Sequence, residues 1–199
     1  MPMTQTWTRY YDAAGDDPRP TLRSALTRFE SEGVAEGVGV DLGCGAGRDT
    51  IALLEHGWTV YAIDAEAEAI GRLLANTPTT DRLHTQIATF AAADWPECDL
   101  VNSSFALPFC HPSDFAIVWD RIVASLRTGG RFSGQLFGDR DGWAINEDMT
   151  FHARSDAEAL FSAFELESFD EVEEDGLTAT GEPKHWHVFH VVARTALRA

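Results

Sequence analysis

The sequence predicts an α/β protein with a mostly parallel sheet and helices on both faces. From residue 38 onward, short apolar runs alternate with segments of helical periodicity, as is typical of βαβ units. The last two strand-like runs follow each other without a helix between them, which predicts an antiparallel C-terminal hairpin. Because 44% of its residues are hydrophobic, we expect the chain (1–199) to form a single domain.

Residues 1–36 are expected to form an N-terminal flap and a helix that packs on the rest of the domain. Pro18 and Pro20 introduce the helix, since proline is tolerated in a first helical turn. Its apolar side chains share one face: Leu22, Ala25, Leu26 and Phe29. The polar start carries the aromatic residues of the flap: Trp7, Tyr10 and Tyr11.

The middle of the chain is predicted to form two consecutive strand–helix units, which imply a parallel sheet. Each strand is a short apolar run, and each helix ends before a glycine or a proline. The predicted order is a strand at 38–42, a helix at about 46–56 that Gly57 ends, a strand at 58–63 followed by Asp64, and a helix through Leu74 that stops before Pro78.

The remaining elements continue this alternation and then end in the hairpin. Ser155 and Glu158 match a capping box, so Ser155 is expected at the N-cap of a helix. The predicted elements are strands at 83–87, 99–103 and 131–137, a helix from Pro112 that Gly129-Gly130 stops, a helix from Ser155 to about Ala163, and strands at 165–173 and 185–193 joined by a turn at Asp175-Gly176.

The charge balance disfavours nucleic acids and anionic membranes as partners. Acidic residues outnumber basic ones by 32 to 15, the formal net charge is −17, and Lys184 is the only lysine. Phosphate-rich partners would be repelled, so the expected partner is a small molecule. No stretch has the ~18 apolar residues that a bilayer requires, and the start lacks a signal-peptide pattern. We therefore expect a cytoplasmic protein.

The sequence predicts neither a metal site nor disulfides. In a strand, His185 and His187 share one face while His190 points to the other, so three ligands from this segment cannot converge. The cysteines are widely spaced and include no CxxC pair. They are Cys44, Cys98 and Cys110.

The strongest functional signal is Asp41-Leu-Gly-Cys-Gly-Ala-Gly-Arg48, between the first predicted strand and its helix. Glycines let a ligand approach the backbone, and the helix N-terminus offers free N–H groups. Asp64 follows the neighbouring strand, where a carboxylate can accept hydrogen bonds from two ribose hydroxyls. These features predict a site for a nucleoside-containing cofactor. The alternative is a tight turn in which Asp64 only caps the next helix.

Two positions disfavour a dinucleotide as this cofactor. The dinucleotide fingerprint requires glycine or alanine where this chain has Arg48, because a small residue permits close packing of helix on strand. Asp41 would repel a pyrophosphate but attract an ammonium group, directly or through water. A positively charged cofactor with a methionine moiety therefore fits better than NAD.

On these residues the chain resembles the class I S-adenosylmethionine-dependent methyltransferases, from Val38 to the hairpin. Segments 41–49 and 57–64 look similar to those of small bacterial tellurite-resistance methyltransferases. The resemblance implies a Rossmann-like, seven-stranded sheet whose last strand is antiparallel, with S-adenosylmethionine as cofactor. Phe90 and Ala91 match the position that borders adenine, where the usual acidic residue is missing and the nearest one is Asp94.

The cofactor contacts expected from the motif and the resemblance come from the glycine segment, the ends of the neighbouring strands and the flap. They are Tyr11, Asp41, Gly43, Cys44, Gly45, Gly47, Arg48, Asp64, Ala65, Phe90, Asn102 and Ser103.

The acceptor of the methyl group is expected near the loops that follow strands four and five. Phe105 and Phe109 could supply an apolar wall that faces a sulfonium, although plain packing is the alternative. The loop 137–143 suits either a lid or a solvated turn. The candidate general bases are His111 and His185, and the candidate cations are Arg140 and Lys184. None of them is assigned as catalytic. The candidates are Phe105, His111, Arg140, Lys184 and His185.

Two other functions remain open. The chain could be a cofactor-binding sensor or partner subunit without catalysis, or an NAD-dependent oxidoreductase. The segment Asn102-Ser-Ser-Phe105 differs from the Asn-Pro-Pro-Tyr type found in amino-group methylases of nucleic acids. We therefore predict methyl transfer to a small-molecule acceptor.

Overall fold

The computed structural model describes residues 3–196, with side chains from Trp7 onward; residues 1–2 and 197–199 of the expected domain lie outside this range. The helices are α1 (Met3–Ala13), α2 (Pro20–Ser31), α3 (Arg48–Glu55), α4 (Ala67–Asn76), α5 (Pro112–Ser125) and α6 (Arg154–Leu160). The strands are β1 (Val38–Leu42), β2 (Thr59–Asp64), β3 (Leu83–Ile87), β4 (Cys98–Ser103), β5 (Leu126–Gly138), β6 (Phe151–His152), β7 (Phe164–Leu177) and β8 (Pro183–Thr195).

The strands form one mixed sheet in the order β3-β2-β1-β4-β5-β8-β7. The first five strands run parallel, and β8 is antiparallel to both of its neighbours, β5 and β7. This arrangement confirms the predicted parallel sheet with an antiparallel C-terminal hairpin. The two-residue strand β6 pairs with the end of β5 as an eighth strand, which has too few residues to show a sequence period.

Helices cover both faces because successive residues of a strand point to opposite sides. On one face, Val101 belongs to the same buried cluster as Trp119 of α5. On the other face, Leu100 shares a cluster with Leu26 of α2 and Leu53 of α3. The core therefore consists of two apolar layers, one on each side of the sheet.

A buried ion-pair cluster fixes α2 on the sheet. Arg131 of β5 is fully buried, forms salt bridges with Glu32 and Glu167, and lies 4.4 Å from the ring centroid of Phe29. The N–H of Arg19, just before α2, donates to Asp49 Oδ1 at 2.9 Å. The start of α2 is thereby held beside the glycine segment.

The N-terminal aromatic residues lie on a helix, α1, where the sequence was interpreted only as a flap. Trp7, Tyr10 and Tyr11 are spaced i, i+3 and i+4, which places them on one helical face. Their rings contact each other, with centroids 5.8 to 6.4 Å apart. No helix within residues 3–196 is long and apolar enough to cross a membrane.

Two predicted boundaries were wrong, the end of α5 and the position of the hairpin turn, because glycines expected outside the strands lie within β5 and β7. The α5 helix ends at Ser125, before Gly129-Gly130, and both glycines lie within β5. A Cβ on Gly130 would stand 2.9 Å from the backbone oxygen of Asp99, so glycine permits close approach of the strands here. The hairpin turn lies at 178–181, while Asp175-Gly176 pairs within the ladder.

The predicted capping box was also wrong. The N-cap of α6 is Ala153, it makes no side-chain capping bond, and the helix ends at Leu160. The N–H groups of Asp156 and Ala157 already donate to Ala153, so Ser155 lies inside the first turn.

Candidate functional site

The glycine segment forms a tight loop between β1 and α3. Gly43, Gly45 and Gly47 have φ angles of 73°, 55° and 98°, in the region that favours glycine. A Cβ on Gly43 would collide with Ala106, and one on Gly47 would collide with Leu73. The N–H groups of Gly43 and Cys44 donate to Ile63 at 2.8 and 3.0 Å, which ties the loop to the end of β2.

Asp64 anchors this loop at its centre. Its carboxylate accepts hydrogen bonds from the N–H groups of Gly45 and Glu66, each at 2.9 Å. Burial raises the pKa of Asp64, while the bonds from these two N–H groups oppose the shift. Each oxygen accepts one of these bonds and keeps a free lone pair, so the carboxylate can still accept two hydroxyl groups.

A second carboxylate lies at the end of β1 in a buried polar network. Asp41 accepts a hydrogen bond from Thr50 Oγ1 at 2.7 Å and one from Asn102 Nδ2 at 2.9 Å. Asn102 also donates to Asp49 at 3.1 Å and accepts a bond from Ser133. Burial and the nearby charge of Asp49 raise the pKa of Asp41 to about 7. The protonation state of Asp41 therefore changes with pH near neutrality.

These residues border a cleft of about 500 Å³ between the glycine loop and the end of α1. Six predicted cofactor residues line it together with Asp49, Ser104 and Arg19: Tyr11, Asp41, Gly43, Cys44, Gly45 and Arg48. Six others do not line it. Gly47 is buried against Leu73, Asp64 accepts a hydrogen bond from Gly45, and Asn102 donates one to Asp41. Ser103 donates to the carbonyl oxygen of Leu42, Phe90 adjoins Gly43, and Ala65 is exposed.

Two arginines without a carboxylate partner among the described residues give the cleft positive charge. Arg19 and Arg48 both line it, and in the described part of the chain neither guanidinium forms a salt bridge or hydrogen bond. The Arg19 guanidinium instead lies 4.8 Å from the ring centroid of Phe105. The cleft thus places Arg19 and Arg48 near the carboxylates of Asp41 and Asp49, a combination that suits a zwitterionic group.

Tyr11 closes one end of the cleft. Its ring lies 3.5 Å from where a Cβ on Gly45 would stand, and burial together with the Asp64 charge raises the pKa of its hydroxyl. Arg72 of α4 bonds Asp12 at 2.7 Å and Glu68 at 2.9 Å, which holds α1 against the cleft.

Phe105 has the backbone strain typical of functional loops. Its φ of 55° is the one positive value among the non-glycine residues described. Its N–H donates to Gln135 Oε1 at 3.0 Å, and its ring lies 5.9 Å from the ring of His190. Phe105 and the other substrate-side candidates lie outside the cleft lining.

Lys184 and Arg140, the predicted substrate-side cations, are both paired with carboxylates. Lys184 is buried, bonds Asp141 at 2.8 Å, and has Trp186 and Trp143 within 4 Å of its Nζ. Arg140 pairs with Glu171 and Glu173 on the outer strand β7. Both cations therefore have carboxylate partners, and their role towards an anionic acceptor stays a prediction.

The two predicted general bases are also occupied. The exposed His111 caps α5, where its Nδ1 accepts from Ser113 N at 3.2 Å. His185 bonds Asp175 at 2.7 Å and Glu173 at 3.3 Å, and these carboxylates raise its pKa. A raised pKa favours imidazolium, which is a poor base at neutral pH.

Removal of Asp141 should destabilise the protein strongly. Asp141 also accepts hydrogen bonds from the N–H groups of Trp143 and His187, at 2.9 and 3.2 Å. We expect Asp141→Ala to lower the free energy of unfolding by about 3–5 kcal/mol, since Lys184 would remain buried without its partner. Arg154→Ala, which breaks exposed pairs, is the control for thermal unfolding. Equal melting temperatures would show that the buried pair contributes little.

Arg19, Asp49 and Ser104, which line the cleft, were not predicted from the sequence. Asp49 directly follows the glycine motif and is the acidic residue in the first turn of α3, so a local signal for it was present. Arg19 reaches the cleft only through tertiary contacts. In the described residues, no group of three His, Cys, Asp or Glu side chains is arranged to hold a metal.

Part of this chain is similar in sequence to known methyltransferases. Residues 40–130 match the family described as a methyltransferase domain. Over 101 residues, the chain is 34% identical to an uncharacterized methyltransferase of Synechocystis sp., a match that covers 47% of this chain and 44% of that protein. The match therefore spans less than half of either protein.

Solved structures share the fold at low sequence identity. TehB from Haemophilus influenzae has a TM-score of 0.71 and 16% identity, over 86% of this chain and 61% of that one. Magnesium protoporphyrin IX methyltransferase from Synechocystis, with bound S-adenosylhomocysteine, has a TM-score of 0.71 and 14% identity, over 96% of this chain and 95% of that one. The N-methyltransferase NodS from Bradyrhizobium japonicum, in complex with S-adenosylhomocysteine, has a TM-score of 0.67 and 21% identity, over 96% of this chain and 97% of that one.

The predicted resemblance is confirmed: residues 40–130 match the methyltransferase-domain family, and the chain has the fold of solved methyltransferases that hold S-adenosylhomocysteine.

Proposed function

We propose that this chain binds S-adenosylmethionine at the glycine loop and transfers its methyl group to a small-molecule acceptor. The observation that supports this most is the pairing of Asp64 with the N–H of Gly45, because a carboxylate with free lone pairs beside a glycine loop suits the hydroxyl groups of a ribose. The structural relatives that hold S-adenosylhomocysteine have the same fold.

Each part of the cofactor has suitable partners in this chain. Asp64 would accept the ribose hydroxyls, and Phe90, beside Gly43, would border the adenine. The ammonium group of the methionine moiety would lie near Asp41 and Asp49, and its carboxylate near Arg19 and Arg48. Opposite charges of ligand and protein then face each other in the cleft, where they attract more strongly than in bulk water.

When bound, the cofactor supplies a methyl group on a sulfonium for in-line displacement. The protein has to hold the acceptor about 3 Å from that methyl group, aligned and shielded from water. Tyr11 supplies apolar surface at one end of the cleft, and Phe105 lies against Arg19, which lines it. The cytoplasmic location expected from the sequence stays a prediction.

Cofactor affinity should depend on pH through Asp41. With its pKa raised to about 7, Asp41 is largely protonated in the free protein at pH 5.5 and largely ionised at pH 7.5. Ionised Asp41 attracts the ligand ammonium group. We therefore expect S-adenosylhomocysteine to bind roughly 10-fold more tightly at about pH 7.5 than at about pH 5.5, with proton release on binding.

Isothermal titration calorimetry in buffers of different ionisation enthalpy measures both effects. The amide variant Asp41→Asn keeps the size of the side chain and should abolish the pH dependence. NAD serves as the comparison ligand and should not bind. Binding of NAD, or no binding of S-adenosylhomocysteine at any pH, would contradict the proposed function.

A further inference from the structure

His190 lies at the edge of the sheet where the cleft opens. On β8 it pairs with Gln135 of β5 and with Asp170 of β7. Ser133, two residues before Gln135, pairs with Asn102 at the end of β4. Because Gln135 is level with the residue after β4, His190 stands just past the carboxyl end of that strand. Ligands of open α/β sheets bind in this position.

The surroundings of His190 come from several separate segments. Its ring lies 5.9 Å from the ring of Phe105, and the Arg19 guanidinium that lines the cleft lies over the same Phe105 ring. Asp170 of β7 and Arg19 are the charged groups that act on it, and Gln135 beside it is neutral. His190 is therefore connected to the cleft through Arg19 and Phe105.

The His190 imidazole is free to accept a proton. In the described residues, neither of its ring nitrogens forms a hydrogen bond or salt bridge, and neither is sealed from solvent. Burial lowers the pKa of His190; Asp170 opposes this shift and Arg19 adds to it. The ring is therefore mainly neutral at pH 7, as a general base requires.

The other histidines lack this combination of features. His187 is buried and bonds Glu171 at 2.8 Å, and His56 bonds Ala52 O at 2.7 Å. His84 stacks on Tyr61 at the far strand β3, and His152 packs against Phe115 on the opposite layer. Since His111 and His185 are occupied as described above, His190 alone combines a free imidazole with a place beside the cleft among residues 3–196.

Resting on the proposed function, we propose that His190 is the general base for the methyl acceptor, and that this acceptor is a small molecule with an acidic hydroxyl or thiol. In the step, the acceptor oxygen or sulfur forms a bond to the methyl carbon, and the carbon–sulfur bond of the donor breaks with its electron pair going to sulfur. The acceptor proton moves to His190 and then to water.

The test compares wild type, His190→Gln and the control His84→Gln on catechol, 2-mercaptoethanol and tellurite. We expect methylation of catechol or the thiol, with kcat/KM about 100-fold lower in His190→Gln and its acidic pH limb lost. His84→Gln should match wild type. Equal rates and equal pH profiles in wild type and His190→Gln would overturn the proposal, as would turnover of tellurite alone.

A second measurement does not depend on the choice of acceptor. Diethyl pyrocarbonate acylates neutral, accessible imidazoles, so mass spectrometry at pH 6 should find His190 modified faster than the buried His187. If no probe is methylated and His190 stays unmodified, the proposal fails. Calorimetry with S-adenosylhomocysteine separates the two ideas: lost binding in the wild type contradicts the proposed function, whereas normal binding with an unimpaired His190→Gln contradicts only the role of His190.

Discussion

Gly45→Val should abolish S-adenosylhomocysteine binding while the chain still folds. Gly45 has a φ of 55°, which a β-branched residue rarely adopts, and its added Cβ would stand 3.5 Å from the Tyr11 ring on the open side of the loop. The valine side chain would therefore occupy the space through which the ligand approaches the backbone. It would also displace the Gly45 N–H that donates to Asp64. We expect no measurable binding by calorimetry.

Gly33→Val is the matched control for backbone strain. Gly33 has a φ of 79° after the end of α2, and nothing lies within 4 Å of an added Cβ. Both variants should lose about 1–2 kcal/mol of stability from the left-handed conformation, but only Gly45→Val should lose binding. A folded Gly45→Val protein with normal affinity would show that the loop is only a turn.

Asp64→Ala should weaken S-adenosylhomocysteine binding by roughly 10–150-fold, because loss of a charged acceptor for two ribose hydroxyls costs about 1.5–3 kcal/mol. The same change removes the bonds that the carboxylate accepts from Gly45 and Glu66, so the loop should also loosen. Thermal shift with and without ligand reports both effects.

Asp64→Asn separates these two contributions, since its amide oxygen can keep one backbone bond without the charge. Asp120→Asn, on the exposed face of α5, is the control for the loss of one negative charge. It should bind like the wild type. If Asp64→Ala and Asp120→Asn show the same ligand-induced shift, Asp64 does not hold the ribose.

The sequence predicted the first half of the sheet well because its signals are local. The strand, the glycine loop and α3 follow one another between Val38 and Glu55, and Asp64 comes at the end of the next strand. The loop conformation, with three positive φ values, requires the glycines that the motif contains. The same spacing argument would have found α1, since Trp7, Tyr10 and Tyr11 recur at helical intervals.

The acceptor side could not be predicted because its contacts are distant in the chain. Lys184 and Asp141 are 43 residues apart, and their pairing depends on the alignment of β8 with the loop after β5. A strand pattern shows that His185 and His190 face opposite sides, but not which side meets α2. The position of His190 beside Phe105 and Arg19 depends on contacts between segments that are distant in the chain.

A crystal structure of the protein grown with S-adenosylhomocysteine tests the central claim most directly. The account predicts one ligand in the cleft, with both ribose hydroxyls bonded to Asp64 and the methionine carboxylate near Arg19 or Arg48. It also predicts that the ligand sulfur points towards Phe105. A ligand bound elsewhere, or one whose ribose makes no contact with Asp64, would contradict the account.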